Sequence, residues 1–435
     1  MKKALARPRI FLTMSISSSV SSRLSARQVL PAVAGIYISQ TLLTAITTQS
    51  LPALLRGAGA TLQMAGMVAL WWLPWGLKFL WAPWVERWRL PAHDPRRRSR
   101  TLLLAGQWLL AGILLGMGGA SLGGLLPLQT HGAWILALLL LSALVAATTD
   151  IACDGFTVEQ LASQQRGWGN VAQVGGSYVG AMLGGGGFLL IVSHAGLSQA
   201  LLATALAIVA LSLPMLVLRE PARSPAQAGH HRPSLMHALR RPQVVHGLLL
   251  LLLGSIGVRL TLSMMGPLLL DHGVSMERLG WLFGTFSVFA GLTGAFLGGA
   301  LVRRAPGWRA VWLAVGLETC VLAGLAGVAV AGNAAQPLLI GLVGLMFGAM
   351  GCAWVALYSV LMGIASSQQA GVDFTLFQSA DALLAAASGV AGGWLAGQWG
   401  YGACFGLAAA LTMVATVTIR QYAAQAAIRG DSAHA

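Results

Sequence analysis

Six ionisable side chains stand inside stretches otherwise built from leucine, glycine, alanine and valine: Lys78, Asp150, Asp154, Arg259, Glu318 and Asp381, with Asp373 near the end of such a stretch. At bilayer depth a charge costs roughly 2.5 to 3.5 kcal/mol on insertion scales, so it persists where it faces a partner, a solute or a water-filled pathway. Arg259, about midway along its stretch, offers a planar and permanently charged fork suited to the carboxylate or phenolate of an anionic solute. A structural ion pair with an acid on a neighbouring helix is the alternative. Asp150 and Asp154 are four residues apart, hence stacked on one helix face, and like charges at that spacing favour proton uptake and release. Pairing of Asp154 with Arg166 or Lys78 is the competing expectation. Lys78 and Asp381 lie at similar depth and are expected to pair, latching one side of the molecule. Glu318 has no obvious cation at its depth and is either neutral and hydrogen-bonded or a proton carrier.

Uncharged polar groups add a second pattern. Tyr37, Gln40, Thr41, Thr44, Thr47 and Thr48 recur at intervals of three and four, which puts them on one helical face. Ser255, Arg259 and Ser263 repeat that spacing further along. Trp71, Trp72 and Trp75 either pack or offer stacking surface, packing being the simpler expectation. The four cysteines Cys153, Cys320, Cys352 and Cys404 show no paired spacing and read as small packing residues, implying neither disulfide nor zinc.

The elements that must position these residues are apolar runs of the length, roughly 20 residues, needed to cross about 30 Å of hydrocarbon. Twelve such spans are expected: 29–52, 62–83, 101–122, 133–157, 168–193, 197–217, 244–269, 279–301, 309–331, 337–363, 373–396 and 401–421. Placing the N-terminus inside leaves 23 of the 27 Lys and Arg residues in cytoplasmic segments, and that asymmetry orients both termini to the cytoplasm. Residues 1–28 read as a disordered cytoplasmic lead, with Met14 an alternative start, and residues 423–435 as a cytoplasmic tail. A basic linker at 219–243 divides a six-span unit, 29–218, from a second, 244–422. Its His230, His231 and His237 read as solvated linker residues before metal ligands. Ala162-Ser163-Gln164-Gln165 and Ser366-Ser367-Gln368-Gln369 each follow the fourth span of a unit, 204 residues apart, a mark of duplication. The same offset sets Tyr358 opposite Asp154, so spans 1, 4, 7 and 10 share a polar face.

Hydrophobic residues make up 56% of the 435 and charged ones 9%, against about a quarter charged in soluble proteins. A soluble enzyme or nucleic-acid-binding domain is excluded, and the net charge of +15 alternates with the spans as membrane topology requires. Glycine ridges at four-residue spacing, Gly176/Gly180/Gly184, Gly280/Gly284, Gly294/Gly298 and Gly389/Gly393/Gly397, are expected helix contacts.

Twelve helices in two pseudo-symmetric bundles of six, both ends inside, is an all-α membrane architecture that resembles the major facilitator superfamily. Within it, Leu77 to Arg87, the run Arg96, Arg97, Arg98 and Arg100, and Thr149-Asp150-Ile151-Ala152-Cys153-Asp154-Gly155-Phe156-Thr157-Val158-Glu159 resemble the RhtX/FptX siderophore permeases, relatives of the AmpG muropeptide permease and the acetyl-CoA transporters. That resemblance implies a single-polypeptide inner-membrane importer of ferric siderophores driven by the proton gradient. It also implies that spans 1, 4, 7 and 10 line the cavity, and that spans 5 and 8 meet at the seam between halves, as do spans 2 and 11. The superfamily's loop 2/3 signature, Gly-x-x-x-Asp-Arg, is here Trp81-Ala82-Pro83-Trp84-Val85-Glu86-Arg87, with Glu86 in the acidic, gating place; the second copy, Gly299 to Arg304, has no acid.

The expected roles are then these. Arg259, Tyr37, Gln40, Thr44 and Tyr358 contact the solute; Asp150, Asp154 and Glu318 carry protons; Lys78, Asp381 and Glu86 gate. The partners expected are a small molecule, protons and lipid, for a monomer needing no cofactor or metal. A muropeptide or acetyl-CoA-type permease or a drug exporter is the alternative. An intramembrane prenyltransferase using Asp150-x3-Asp154 to hold magnesium diphosphate is a remote one, because Trp354 and Tyr358 occupy the repeat positions where a second acid motif belongs.

Overall fold

The computed structural model describes residues 24–51, 54, 71–123, 132–224, 233–305, 307–332 and 335–428. Most of the N-terminal lead, the outer part of span 2, linker residues 225–232 with His230 and His231, and the end of the tail lie outside them.

Every regular element among the described residues is helical, as backbone groups in lipid require. Span 1 is α1 (Ala26–Ala45), opened by Ser25, whose hydroxyl lies 3.0 Å from the Gln28 side chain. The described end of span 2 is α2 (Trp72–Leu77), a 3-10 turn (Lys78–Leu80) and α3 (Ala82–Arg89). Pro83 begins α3 without loss because the first helical N–H groups have no intrahelical partner. Spans 3 and 4 are α4 (Ser99–Leu122) and α5 (Gly132–Gln160), span 5 is α6 (Arg166–Met182) with α7 (Phe188–Ala195), and span 6 is α8 (Leu197–Val217). After a short α9 (Leu235–Leu239) the second half follows as α10 (Pro242–Asp271), α11 (Met276–Trp281), α12 (Ser287–Arg304), α13 (Trp308–Ala331), α14 (Gln336–Ile364) and α15 (Ala370–Ile428).

Ten described stretches are long and apolar enough to cross a membrane. The last of them, in α15, breaks at Gly400 (φ 79°, ψ 171°) and so supplies spans 11 and 12. That makes eleven crossings among the described residues, and of the expected span 2 only the part from Trp71 onward is described.

In the first half α1 packs on α6 and α8, and α4 on α8 and α5; in the second, α15 packs on α10 and α13, and α12 on α14. The halves meet where α6 lies on α12 and α14, and α15 on α2, α3 and α5. The glycine ridges do close-pack helices, but within each half. A Cβ on Gly184 would lie 2.1 Å from the Leu42 carbonyl of span 1, and one on Gly294 1.9 Å from the Gly348 carbonyl of span 10. The contact expected at the remaining ridges is not made: Gly280, Gly284, Gly389 and Gly397 have no described neighbour within 4 Å of an added Cβ. Across the seam small residues are bridged by larger ones, such as Val302 over Gly167 and Val171 over Gly299.

The arginines of 87–100, 240–241 and 303–304 gather at one end, here the basic end. There the halves touch through backbone: a Cβ on Gly155 would lie 3.0 Å from the Gly371 nitrogen, and one on Gly371 3.0 Å from the Ile151 carbonyl. Asn170 adds Nδ2 to Ser359 Oγ at 3.3 Å. The seam is sealed at the basic end.

Candidate functional site

Two clusters of buried charge face each other across the seam. In the first half, the break between α2 and α3 turns Lys78 inward, 1% exposed. Its ammonium donates to Asp150 of α5 and, across the seam, to the amide oxygen of Gln378 of α15, and it lies 5.2 Å from the Trp75 ring centroid. Gln40 of α1 sets its amide against Asp150, nitrogen to Oδ1 2.9 Å in the orientation that satisfies both groups. One turn along α5, Asp154 accepts from Tyr37 Oη at 2.7 Å and from Gln173 Nε2 at 3.3 Å.

In the second half the Arg259 guanidinium grips Asp381 through Nη2 at 2.5 Å and Nε at 3.2 Å. Its face lies 4.9 Å from the Trp354 ring centroid, a stacking that guanidinium favours. Tyr358 donates to the same carboxylate at 2.9 Å, its ring held edge-on against Phe374 at 5.7 Å. Glu318 of α13 is 1% exposed and makes no ion pair among the described residues.

The predicted bridge from Lys78 to Asp381 is not formed. Arg259, from Asp381's own half, occupies that carboxylate with two donors, and a bidentate fork outcompetes a point charge for it. Lys78 instead meets Asp150 and reaches α15 at Gln378, three residues before Asp381. Likewise Asp154 bonds Tyr37 and Gln173 where Arg166 or Lys78 had been expected. The hydroxyls of Thr44, Thr47 and Thr48 donate at 2.8 Å to carbonyls four residues back in their own helix, so that stripe presents lone pairs more than donors. Gln173 and Gln378 were not singled out from the sequence, and Trp354 was noted only as the residue at the repeat position of Asp150. A glutamine three residues from a buried acid, hence on the same face, was the available signal for Gln378.

At the basic end a second lattice of ion pairs forms within the first half and meets the second half through Glu86. Glu86 takes Arg89 bidentately, Nη2 to Oε1 2.7 Å and Nε to Oε2 2.9 Å. Arg89 Nη1 continues to Glu159 at 2.9 Å, and Glu159 also takes Arg97 at 3.0 Å. Burial works against the Arg89 charge, yet Glu86 and then Glu159 push its pKa above the already high arginine range. A Cβ on Gly371 would lie 2.5 Å from Glu86 Oε2, so the Glu86 carboxylate rests against the start of α15, the positive end of that helix. On the other side Arg241 pairs with Asp373 and donates to the Ile364 carbonyl at 2.7 Å. Glu220 accepts from the nitrogens of Ser99 at 3.1 Å and Arg100 at 3.0 Å, capping α4; burial pushes its carboxyl above the usual range. Asp94 is held below it, first by the Arg96 N–H. Among the described residues no three His, Cys, Asp or Glu side chains gather as a metal site.

Against solved structures the chain superposes on a bacterial homologue of the iron transporter ferroportin in its outward-facing state, with a TM-score of 0.66 and 17% identity, covering 92% of this chain and 99% of that one. It also superposes on the proton:xylose symporter XylE, with a TM-score of 0.66 and 11% identity, covering 91% of this chain and 94% of that one. At such identities the likeness is one of fold. By sequence it is 24% identical over 402 residues to an uncharacterized protein of Haemophilus influenzae, covering 89% of this chain and 92% of that one. It is 28% identical over 278 residues to the anhydromuropeptide permease of Escherichia coli, covering 61% of this chain but 54% of the permease. The Major Facilitator Superfamily model matches residues 29–389. Two helical bundles meeting at a charged seam thus have their counterpart in sequence, and the chain belongs to the Major Facilitator Superfamily, a family of secondary transporters and not of enzymes.

Proposed function

We propose that this chain is a proton-coupled importer of a ferric siderophore of the pyochelin or rhizobactin kind, working by alternating access in the inner membrane with both termini in the cytoplasm. The observation that carries the reading is the pair of buried acid and cation clusters joined across the seam by Lys78 and Gln378. Rocking of the halves separates Lys78 from Gln378, so the charge state of the clusters and the position of the seam depend on each other. By the basic-inside asymmetry the end where the halves touch is the cytoplasmic one. Arg259 is the anion's anchor: a carboxylate or phenolate of the solute competes with Asp381 for the guanidinium, Trp354 and Tyr358 flank the exchange, and a proton on the released acid keeps the cavity neutral.

The siderophore assignment rests on the span 4 and loop 2/3 resemblance. A second reading, permeation of an anhydromuropeptide, has its own support in the 28% identity to the permease of that name. Uptake of iron-55 ferric pyochelin and of labelled anhydromuropeptide into cells lacking their own importers separates the two. The first reading expects iron uptake that collapses with a protonophore, survives depletion of ATP alone, and falls about tenfold or more in Arg259→Ala, the equivalent of 1.4 kcal/mol or more from a charged hydrogen bond. Muropeptide accumulation without iron uptake selects the second. ATP-dependent uptake of either removes the coupling.

A further inference from the structure

Counting buried charge in each half leads past the assignment of a general proton pathway. In the middle of the molecule the first half buries one cation, Lys78, with two acids, Asp150 and Asp154; the second sets one partly buried cation, Arg259, beside two buried acids, Asp381 and Glu318. Each cation is committed to one acid, Lys78 to Asp150 and Arg259 to Asp381. Of the other acids whose side chains are described, Glu86, Asp94, Glu159 and Asp373 are also ion-paired. Glu220 caps a helix, and Asp271 is exposed and accepts from Tyr401. Asp154, 0% exposed, and Glu318, 1% exposed, remain. Each keeps one carboxyl oxygen, Asp154 Oδ2 and Glu318 Oε1, that is buried without a hydrogen-bond partner among the described residues.

An ionised carboxylate so placed would forfeit the full desolvation of its charge, whereas a neutral carboxyl forfeits one hydrogen bond. We infer that this conformation holds two protons, one in each half, on Asp154 and on Glu318, while Asp150 and Asp381 stay ionised as counterions. The groups facing Asp154 are Tyr37 from α1, Lys78 from the 3-10 turn, Asp150 and Cys153 from its own helix, Gln173 from α6 and Tyr358 from α14. The groups facing Glu318 are Arg259 from α10, Tyr178 from α6 and Cys352 from α14. The single cation in each set is the one already bound to the other acid. Tyr178 crosses the seam to reach that place: a Cβ on Gly291 of α12 would fall 2.0 Å from Tyr178 Cζ, and its hydroxyl too is buried without a described partner. Movement of the seam therefore changes the surroundings of both proton sites, through Tyr178 at one and the Lys78 to Gln378 contact beside the other. Resting on the proposed proton-coupled import, these two carboxyls are where the coupling protons are held.

The test needs no solute. The purified full-length protein in lipid nanodiscs, at neutral pH, is examined by infrared difference spectroscopy for the C=O stretch of protonated carboxyls, identified by its shift in deuterium oxide. Two such carboxyls are expected. Asp154→Asn removes one and Glu318→Gln removes the other. No band, a single carboxyl's intensity, or two carboxyls persisting in Asp154→Asn or in Glu318→Gln overturns the inference. Should an amide variant fail to purify as a monodisperse species, the integrated wild-type intensity still decides between two and fewer. Uptake that ignores a protonophore would defeat the transport reading while leaving this count standing, so the two failures are distinguishable.

Discussion

The middle of the molecule and its basic end solve opposite electrostatic problems. In the middle two cations serve four acids, and each pair is made once: Lys78 with Asp150, Arg259 with Asp381. At the basic end the acids are saturated, Glu159 held by both Arg89 and Arg97, and Glu86 by both Nε and Nη2 of Arg89. A saturated lattice is a structural clamp, each carboxylate already satisfied by its guanidinium partners. An acid-rich centre is neutral only with protons aboard, and its balance can be tipped by an incoming anion or a departing proton. The difference separates the part that holds a conformation from the part that decides which conformation is held.

The largest effect should come from breaking the clamp. Arg89→Met would leave Glu86 and Glu159 buried without their shared cation, a loss of about 3–5 kcal/mol, seen as a sharply lower midpoint of thermal unfolding in detergent and little protein in the membrane. Arg89→Lys should recover part of it, since a point charge cannot reproduce the fork. If Arg89→Met is as stable as wild type, the basic end is no clamp.

Next in size are the central cations, which sharpen the contrast because they should act in different ways. Arg259 is held within its own half by Asp381, Tyr358 and Trp354, whereas Lys78 spans the seam to Gln378. Lys78→Met is therefore expected to shift the halves toward opening at the basic end, while Arg259→Met abolishes uptake with the seam distribution little changed. Pulsed EPR distances between labels on α5 and α15 would read this, and equal shifts in both variants would erase the distinction. Gln378→Leu isolates the seam contact alone. Losing one hydrogen bond to a charged group, about 1.5–3 kcal/mol, should move the same distribution in the direction of Lys78→Met, by less.

Much of this was legible in the sequence, for reasons that differ by feature. The twelve crossings follow from hydrocarbon thickness, and Gly400 as the break between spans 11 and 12 follows from the lack of a Cβ where φ is positive. The buried acids and bases could be found because charge in lipid is expensive, and Tyr37 because it repeats with Gln40 and Thr44 at helical spacing. Pairing was not legible. Depth along a helix says how far a residue lies from the membrane surface but not which way it turns, and Lys78 and Asp381, alike in depth, are separated by the rotation that gives Asp381 to Arg259. The glycine ridges misled in the same manner: spacing announced a close contact, while the partner, span 1 for Gly184 in place of span 8, depends on tertiary arrangement. Gln173 and Gln378 carry no charge to draw attention, and their part emerges only beside Asp154 and Lys78.

The smallest expected effect lies at the edge of the clamp. Glu220 caps α4 through the nitrogens of Ser99 and Arg100, but its pKa is raised, first by burial. A carboxyl whose folded pKa exceeds its unfolded value binds its proton more tightly in the folded state, so the stability it contributes is present below the unfolded value, about 4.3, and is lost as pH rises through the folded one. Glu220→Gln cannot titrate. From about pH 4 upward through the raised folded pKa, the wild-type unfolding midpoint should fall slightly with rising pH relative to Glu220→Gln, and the two curves should run parallel once Glu220 is ionised in both states. Asp94, whose pKa is lowered, first by the Arg96 N–H, has the opposite sign, with its contribution present above the unfolded value and lost as pH falls through the folded one. A wild-type midpoint rising relative to Glu220→Gln over the window would mean that the N–H groups of Ser99 and Arg100 outweigh burial, and that Glu220 belongs with the saturated acids of the clamp.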